Sequence, residues 1–391
     1  MALNVAVIFG GKSVEHEISI LSALQCINAI DKNKYHIVPI YVSKYGQWYT
    51  GQKFTSLASY RNLDTLLLAS QKIVINQNAN SFSFFYEPKG LFTKRKHIAI
   101  DIVIPLIHGT HGEDGILQGL LAMMNVPYVG CDVLVSAITM DKIVAKILLR
   151  NAGIKVLDDW WFYSSQWIDN KDYMIATIKT KFVYPLIVKP GNLGSSIGVS
   201  AVVNDYELEN AIDLVVSLSD KVLIESKIIN LKEINCSVLG DRDAIEVSVL
   251  EEPIRSKDIL SYQDKYVCGT KNKLSIKIDT ISCRSMSDAK RRIPAVISKE
   301  ISSKIRDLAS KAFISLNCSG VVRLDFLLDQ DSNEIYLCEL NTIPGSLAFY
   351  LWENSGLNFT NLIERLLALA LKRHREINNL IATYDNNILK G

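Results

Sequence analysis

The sequence contains no C-x-x-C pair. Its cysteines, Cys26, Cys131, Cys236, Cys268, Cys283, Cys318 and Cys338, are scattered and odd in number. That argues against a zinc site or a disulfide framework and suits a reducing cytoplasm. No apolar run reaches the roughly 18 residues that a membrane helix needs. Met1–Asn4 lead straight into the strand-like Val5–Phe9, without the basic segment and apolar core of a secretory signal. An excess of one charge is also missing. The 43 Lys and Arg against 41 Asp and Glu give a net +2, so nothing in the charge points to nucleic acid or an anionic membrane surface. No internal repeat or low-complexity tract stands out. What remains is a chain of 391 residues, 48% hydrophobic and 21% charged. That is the make-up of a soluble globular protein of two to three domains, each able to bury its own core.

Residues 3–9 read as a buried strand broken by Gly10-Gly11. Ile18, Leu21, Ala23, Ile27 and Ile30 mark one helix face, and His36–Val42 a second strand. This β-α-β opening predicts a mostly parallel sheet. Residues 45–95 carry little periodic signal and read as a meander or an insertion. Ile98–Ile107 reads as one further buried strand, followed by a helix over Ile116–Met124 and a short strand at Tyr128-Val129. Thr139–Lys142 opens a helix through about Asn151. Further on come a strand at Ile234–Val238, a helix over 297–316 and another over 357–373. The stretch 255–294 is polar and aperiodic, too long for an ordinary connection within a compact domain. It reads as a functional lid or as an uninteresting insertion. Ligands in open α/β sheets bind beyond the carboxyl ends of strands, where both Gly10-Gly11 and His108-Gly109 fall.

The richest segment is Gly320–Gly345. Apolar runs flank the polar turn Asp329–Asn333, as in a β-hairpin. Side chains alternate along a strand, so Arg323 and Asp325 share one face, and Glu339 and Asn341 share one face of the returning strand. Three oxygen donors and a guanidinium gathered there suit Mg²⁺, which takes one or two carboxylates plus substrate phosphates. The plainer alternative is a solvated polar face on an edge hairpin.

Lys189 ends a second apolar run, and the glycines with Ser195 and Ser196 form a turn whose backbone N–H groups can face an anion. This is not the P-loop pattern, and a surface turn with a lysine explains it equally well. Together with Lys142 and the hairpin, it makes a nucleoside triphosphate site. Val222–Ile228, with Glu225 on it and Glu233 beyond, could present backbone groups to adenine and a carboxylate to ribose, or simply link domains. Glu15 and Glu17 fall in the first turn of a helix, where the macrodipole favours carboxylates. His108 and His111 follow a strand and could be loop residues.

In this combination the chain resembles the D-alanine–D-alanine ligases of the ATP-grasp superfamily. The matching pieces are Phe9–Ser22, His108–Gly119, Met140-Asp-Lys142, Val188–Gly198, Tyr262-Gln-Asp-Lys-Tyr266 and Arg323-Leu-Asp325 with Glu339–Gly345. They stand in family order and span nearly the whole chain. The resemblance implies an α/β ATP-grasp fold of three α/β domains, taken here as 1–135, 136–228 and 229–391, with a lid at about 255–294. ATP would lie between the central and C-terminal domains. Lys142, Lys189, Ser195 and Ser196 would hold its phosphates, with Lys265 pointing to the γ-phosphate. Glu225 and the backbone near Ile228 would meet adenine, and Glu233 the ribose. Asp325, Glu339 and Asn341 would bind two Mg²⁺ ions, with Mn²⁺ as a substitute.

The implied reaction forms an acyl phosphate from one D-alanine, which the amine of a second then attacks. Glu15 would hold the first ammonium with His108 close by. Arg323 and the backbone N–H of Gly345 would stabilise the oxyanion. Tyr266 would reach from the lid to Ser195 and Glu15 and close the site against water. Many members carry a serine after the Asn-Thr-x-Pro-Gly turn to bind the second carboxylate; here Tyr350 stands in that place, with Ser346 nearby. The lid is also longer than in compact members. The acceptor could therefore be D-alanine, D-serine or D-lactate. A catalytically silent nucleotide-binding protein is the reading from another class. The expected setting is a cytoplasmic homodimer acting on small molecules, without nucleic acid or membrane.

Overall fold

A computed structural model describes residues 2–76, 83–87, 96–254 and 291–381. Seven strands form the first sheet: β1 (Leu3–Gly10), β2 (Tyr35–Val42), β3 (Trp48–Thr50), β4 (Gln71–Asn76), β5 (Ser83–Tyr86), β6 (His97–Ala99) and β7 (Ile102–Pro105). Their spatial order is β6-β5-β4-β3-β2-β1-β7. The strands β2 and β7 run parallel to β1, while β3 to β6 continue antiparallel. Helix α1 (His16–Ala29) makes the crossover from β1 to β2, as the β-α-β pattern requires.

The apolar run Ile98–Ile107 is not one strand. It breaks at Asp101, whose backbone N–H and carboxylate both bond the backbone of Asn4. The pieces β6 and β7 occupy opposite ends of the strand order. The short link from Ala99 to Ile102 spans only about 10 Å, whereas six strand spacings laid flat would cover about 29 Å. The sheet therefore curls, and Ile73 and Phe84 close over Ala6, Ile8, Val38 and Ile40.

The second sheet is antiparallel, with β8 (Asp159–Tyr163), β9 (Leu186–Pro190), β10 (Ser200–Val202) and β11 (Lys221–Ser226) in the order β10-β9-β11-β8. The third contains β12 (Leu231–Gly240), β13 (Ile245–Val247), β16 (Gly320–Asp329) and β17 (Ile335–Asn341) in the order β13-β12-β16-β17. Between them in sequence, β14 (Glu252–Pro253) pairs with β15 (Arg291–Arg292).

Chain order and packing order differ. Helices α2 (Leu63–Leu68) and α3 (Ile116–Met123) precede α4 (Val133–Met140) and α5 (Lys142–Asn151). Val135 of α4 and Leu149 of α5 share a core with Val322, Leu324 and Phe326 of the third sheet. Helices α6 (Ser164–Asp169), α7 (Lys171–Lys181) and α8 (Asp205–Val216) belong to the second sheet's core, and α9 (Lys299–Ser315) to the third's. The short α10 (Phe349–Glu353) is followed by α11 (Phe359–Asn378), whose Leu362, Leu366 and Ala370 share one core with α1 and with Val5, Val7 and Phe9 of the first sheet.

Candidate active site

The hairpin β16–β17 has the expected turn, and its register pairs Arg323 with Asn341 and Asp325 with Glu339. A bulge inserts Cys338 between the partners of Asp325 and Phe326. One extra residue changes the phase of a strand. Leu337 and Leu340 can thus both point into the core while Glu339 and Asn341 stay on the face of Arg323 and Asp325. There the Arg323 fork grips Asp325, Nε to Oδ1 at 2.7 Å and Nη2 to Oδ2 at 2.8 Å. Asn341 donates to Asp325 Oδ2 at 3.2 Å. Burial alone would lower the Arg323 pKa, but the Asp325 carboxylate raises it.

The helix expected from Thr139 starts three residues later, at Lys142, because Thr139 belongs to the separate α4. Asp141 is extended, ends α4, and caps α5 by accepting from Ile143 N at 3.0 Å. This cap places Lys142 in the first turn of α5. An ammonium there meets the positive end of the helix dipole, an unfavourable position that its partners explain. Lys142 Nζ lies 3.6 Å from Glu339 Oε2 and donates to the carbonyl of Leu193 at 2.6 Å. It ties the hairpin to the glycine–serine turn.

That turn follows Lys189 of β9. Ser195 and Ser196 both have positive φ, +53° and +59°, conformations that L-residues adopt only when neighbours impose them. The Ser195 hydroxyl donates to the buried Glu15 carboxylate just before α1. Two glycines from different loops make room for this carboxylate. A Cβ on Gly109 would come within 2.7 Å of Glu15 Oε2, and one on Gly194 within 2.9 Å. Lys189 Nζ pairs with Glu225 Oε2 at 2.6 Å. Burial would push the Glu225 pKa up, but the ammonium groups of Lys189 and Lys146 overcome it and bring it down to about 2.

A second cluster lies against the middle of α1. His108 Nε2 is 2.8 Å from Ser22 Oγ, which accepts the backbone N–H of Ser346 at 3.0 Å. The Ser346 hydroxyl donates to Gln25. Burial lowers the His108 pKa to about 4, against a backbone hydrogen bond with Ile343 that favours the cation. Glu113 accepts from Gly109 N at 2.7 Å and from Ile343 N at 3.3 Å. Burial and the nearby Glu15 charge raise its pKa to about 8. The backbone around Ile343, between Asn341 and Gly345, is therefore clamped from both sides. Beyond it, Ser346, Leu347 and Ala348 have φ of +51°, +55° and +51°. Left-handed backbone costs roughly 1 kcal/mol per L-residue. The bonds of Ser346 to α1 oppose that strain.

Tyr350 follows in α10. Its hydroxyl donates to Glu251 Oε1 at 3.0 Å, and the Arg291 guanidinium stacks 4.0 Å from its ring centre. Arg291 also pairs with Glu251 at 3.0 Å. Glu233 lies on β12 in register with Leu327, two positions along from the Asn235–Asp325 pair, and Ile228 lies just after β11. Tyr266 and Lys265 lie outside the described residues, as does most of 255–294.

The structure thus gathers Glu15, Ser195, His108, Gly345 and Ser346 on one side, and Lys142, Arg323, Asp325, Glu339 and Asn341 on the other. The Lys189–Glu225 pair lies alongside; electrostatic coupling of Lys189 to Glu339 connects it to the second group. Sequence reasoning missed Ser22, Gln25, Glu113, Lys146, Glu251 and Arg291. Two signals were available: Lys146 stands one turn from Lys142, and Glu113 sits inside the His108–Gly115 run. Among the described residues, no three His, Cys, Asp or Glu side chains converge as a ready metal cluster. The donor chemistry nevertheless fits a hard cation. A carboxylate offers about four lone-pair directions, so Asp325 can accept the Arg323 fork and still ligate beside Glu339 and the Asn341 amide oxygen.

Two buried lysines, a glycine–serine turn and an oxygen-rich hairpin, carried by separate elements of an α/β chain, define an ATP-grasp ligase. Residues 4–131 match the family model described as D-ala D-ala ligase N-terminus, and 148–368 that described as D-ala D-ala ligase C-terminus. The D-alanine–D-alanine ligase of Thermosipho melanesiensis is 40% identical, over 99% of this chain and 98% of that one. D-alanine–D-alanine ligase A of Escherichia coli is 36% identical, over 97% and 99%. The solved D-alanine–D-alanine ligase of Coxiella burnetii superposes with a TM-score of 0.77 at 29% identity, covering 96% of each chain. The VanG D-Ala:D-Ser ligase of Enterococcus faecalis gives 0.75 at 30% identity, over 95% of this chain and 100% of that one. The chain belongs to the D-alanine–D-alanine ligase family, a family of ATP-dependent ligases.

Proposed function

We propose that this chain joins two D-alanine molecules into D-alanyl-D-alanine, a peptidoglycan precursor, with ATP converted to ADP and phosphate. The observation that carries the reading is the Lys142 bridge. One ammonium contacts both the hairpin carboxylate Glu339 and the turn whose Ser195 holds Glu15. It couples a phosphate-binding region to a site for an ammonium-bearing substrate. The first D-alanine is held by Glu15, and its carboxylate oxygen attacks the γ-phosphorus while the bond to the ADP oxygen breaks. The second D-alanine, as its free amine, then attacks the carbonyl carbon of the acyl phosphate; the carbon–oxygen bond to phosphate breaks, and the proton lost by the nitrogen goes to the departing phosphate. Lys142 and Lys189 neutralise the phosphates, since phosphoryl transfer depends on positioning and charge more than on covalent help. Arg323 and Gly345 N–H serve the oxyanion. His108, neutral near pH 7, bonds Ser22 and orients the Gly345–Ser346 backbone without adding charge beside the ammonium. Asp325, Glu339 and Asn341 would hold Mg²⁺ or Mn²⁺, which when bound would neutralise phosphate charge.

D-serine as acceptor is a second reading. It is favoured by the likeness to the VanG D-Ala:D-Ser ligase. Offering D-alanine, D-serine and D-lactate together with ATP and identifying the products tests both. Absence of any D-alanine-dependent ADP release would refute the proposal as a whole. A cytoplasmic homodimer divided near residues 135 and 228 belongs to the same reading. Among the described residues no helix is long and apolar enough to cross a membrane, and sedimentation would test the dimer.

A further inference from the structure

Asp159 and Glu225 are direct partners across the β8–β11 ladder, both with side chains only 4% exposed. Two like charges opposite one another on a sheet destabilise it, and burial makes that worse. The residue between them is Lys146 of α5, itself 2% exposed. Its ammonium lies 3.2 Å from Asp159 and bonds Glu225 Oε1. Arg150, one turn further along α5, covers the outer side of Asp159. The other Glu225 oxygen is taken by Lys189. The result is a chain of alternating charge, Arg150–Asp159–Lys146–Glu225–Lys189, with three cations and two anions. Both ends of the chain are cations, and the Lys189 end lies beside the glycine–serine turn and is electrostatically coupled to Glu339.

We propose that Lys146 is a positioning residue of the nucleotide site: by occupying one oxygen of Glu225 it limits the hold of that carboxylate on Lys189, leaving the Lys189 ammonium available to a nucleotide phosphate. Without the Lys146 charge, Lys189 is the one counter-ion left to Glu225 among the described residues. The ammonium is then drawn back along β9, away from the phosphates. Lys146 itself touches no substrate. The inference rests on the proposed ATP site and assigns a role to a residue outside it.

The test measures the dissociation constant of a non-hydrolysable ATP analogue and, at saturating ATP, the KM for D-alanine. Lys146→Met should weaken analogue binding by roughly tenfold, the scale of losing one charge-assisted hydrogen bond, and leave the D-alanine KM within about twofold. If that variant does not fold, Lys146→Met with Asp159→Asn replaces it, since removing both charges relieves the buried imbalance while Glu225 keeps its full hold on Lys189. In a Glu225→Gln background the same Lys146→Met change should cost under about twofold, because the group it acts through is gone. An equal loss in both backgrounds, or a parallel rise in the D-alanine KM, would show a purely structural lysine and overturn the inference. So would analogue affinity unchanged from the unmodified protein. Failure of the unmodified protein to bind the analogue would instead overturn the ATP-site reading, and this inference with it.

Discussion

His108 lies buried beside Ser22 with its pKa pushed from 6.5 down to about 4, and replacing it with glutamine should change how stability follows pH. The unfolded chain takes up a proton on this residue near 6.5, whereas the native protein resists until about 4. The contribution of the neutral ring is therefore fully present above 6.5 and is lost as pH falls to about 4. The gap between 6.5 and about 4, at about 1.4 kcal/mol per tenfold in proton affinity, is worth about 3 kcal/mol. Glu113 acts with the opposite sign. Its pKa is raised from 4.5 to about 8, so its contribution is fully present below 4.5 and lost as pH rises through about 8. Between pH 4.5 and 6.5 the two slopes oppose, and the unmodified protein should show a muted dependence there. Single variants separate them. In urea unfolding, the stability gap between the unmodified protein and His108→Gln should shrink by about 3 kcal/mol from pH 7 to pH 4. The gap to Glu113→Gln should widen as pH falls from 8 to 4.5. A His108→Gln gap that stays constant across this range would refute the argument, because it would mean that the imidazole titrates alike in both states.

Glu339→Gln should raise the divalent-cation concentration needed for half-maximal ATP use while leaving the melting temperature nearly unchanged; an unaltered cation requirement would remove Glu339 from the metal site. Arg323→Ala should lower turnover by about 100- to 1000-fold, the scale of one lost oxyanion donor, with a much smaller effect on nucleotide affinity. Equal, small changes in both would mark a structural arginine that serves only Asp325. Tyr350→Phe removes one hydrogen bond from the buried Glu251 and should cost about 1 to 3 kcal/mol in stability, read from chemical denaturation. No loss would mean that Glu251 is satisfied by Arg291 and by Asn235, which donates to its Oε1 at 3.1 Å.

The hairpin was legible because alternation along two short strands is a local property, and its turn residues mark where the chain reverses. The Cys338 bulge was not legible. Nothing in Tyr336–Asn341 distinguishes an inserted residue from a regular strand, and only the partner strand settles the register. Ile98–Ile107 failed for a related reason: an unbroken apolar run records burial, and the break at Asp101 depends on a bond to Asn4 far away in sequence. The Glu15–Ser195 contact could be inferred only by resemblance, since 180 residues separate its partners. Lys146 was accessible in principle, because residues four apart on a helix share a face. Composition gives no sign, however, that a lysine is buried; that follows from two carboxylates meeting across a ladder it cannot reveal. The order of the cores, with α4 and α5 on the third sheet and α11 on the first, is tertiary and has no periodic signature.

The seat of α11 in the core of the first sheet has a consequence during synthesis. The strand carrying Val5, Val7 and Phe9 is among the first to leave the ribosome, yet Leu362, Leu366 and Ala370, which complete its core beside α1, are among the last. At about 5 to 20 residues per second, that core waits roughly 20 to 70 s for its last side chains. Throughout that interval the nascent first sheet is a client for trigger-type chaperones and a liability for self-association. A shortened chain ending before α11 should accumulate with chaperones although every strand of its first sheet is present.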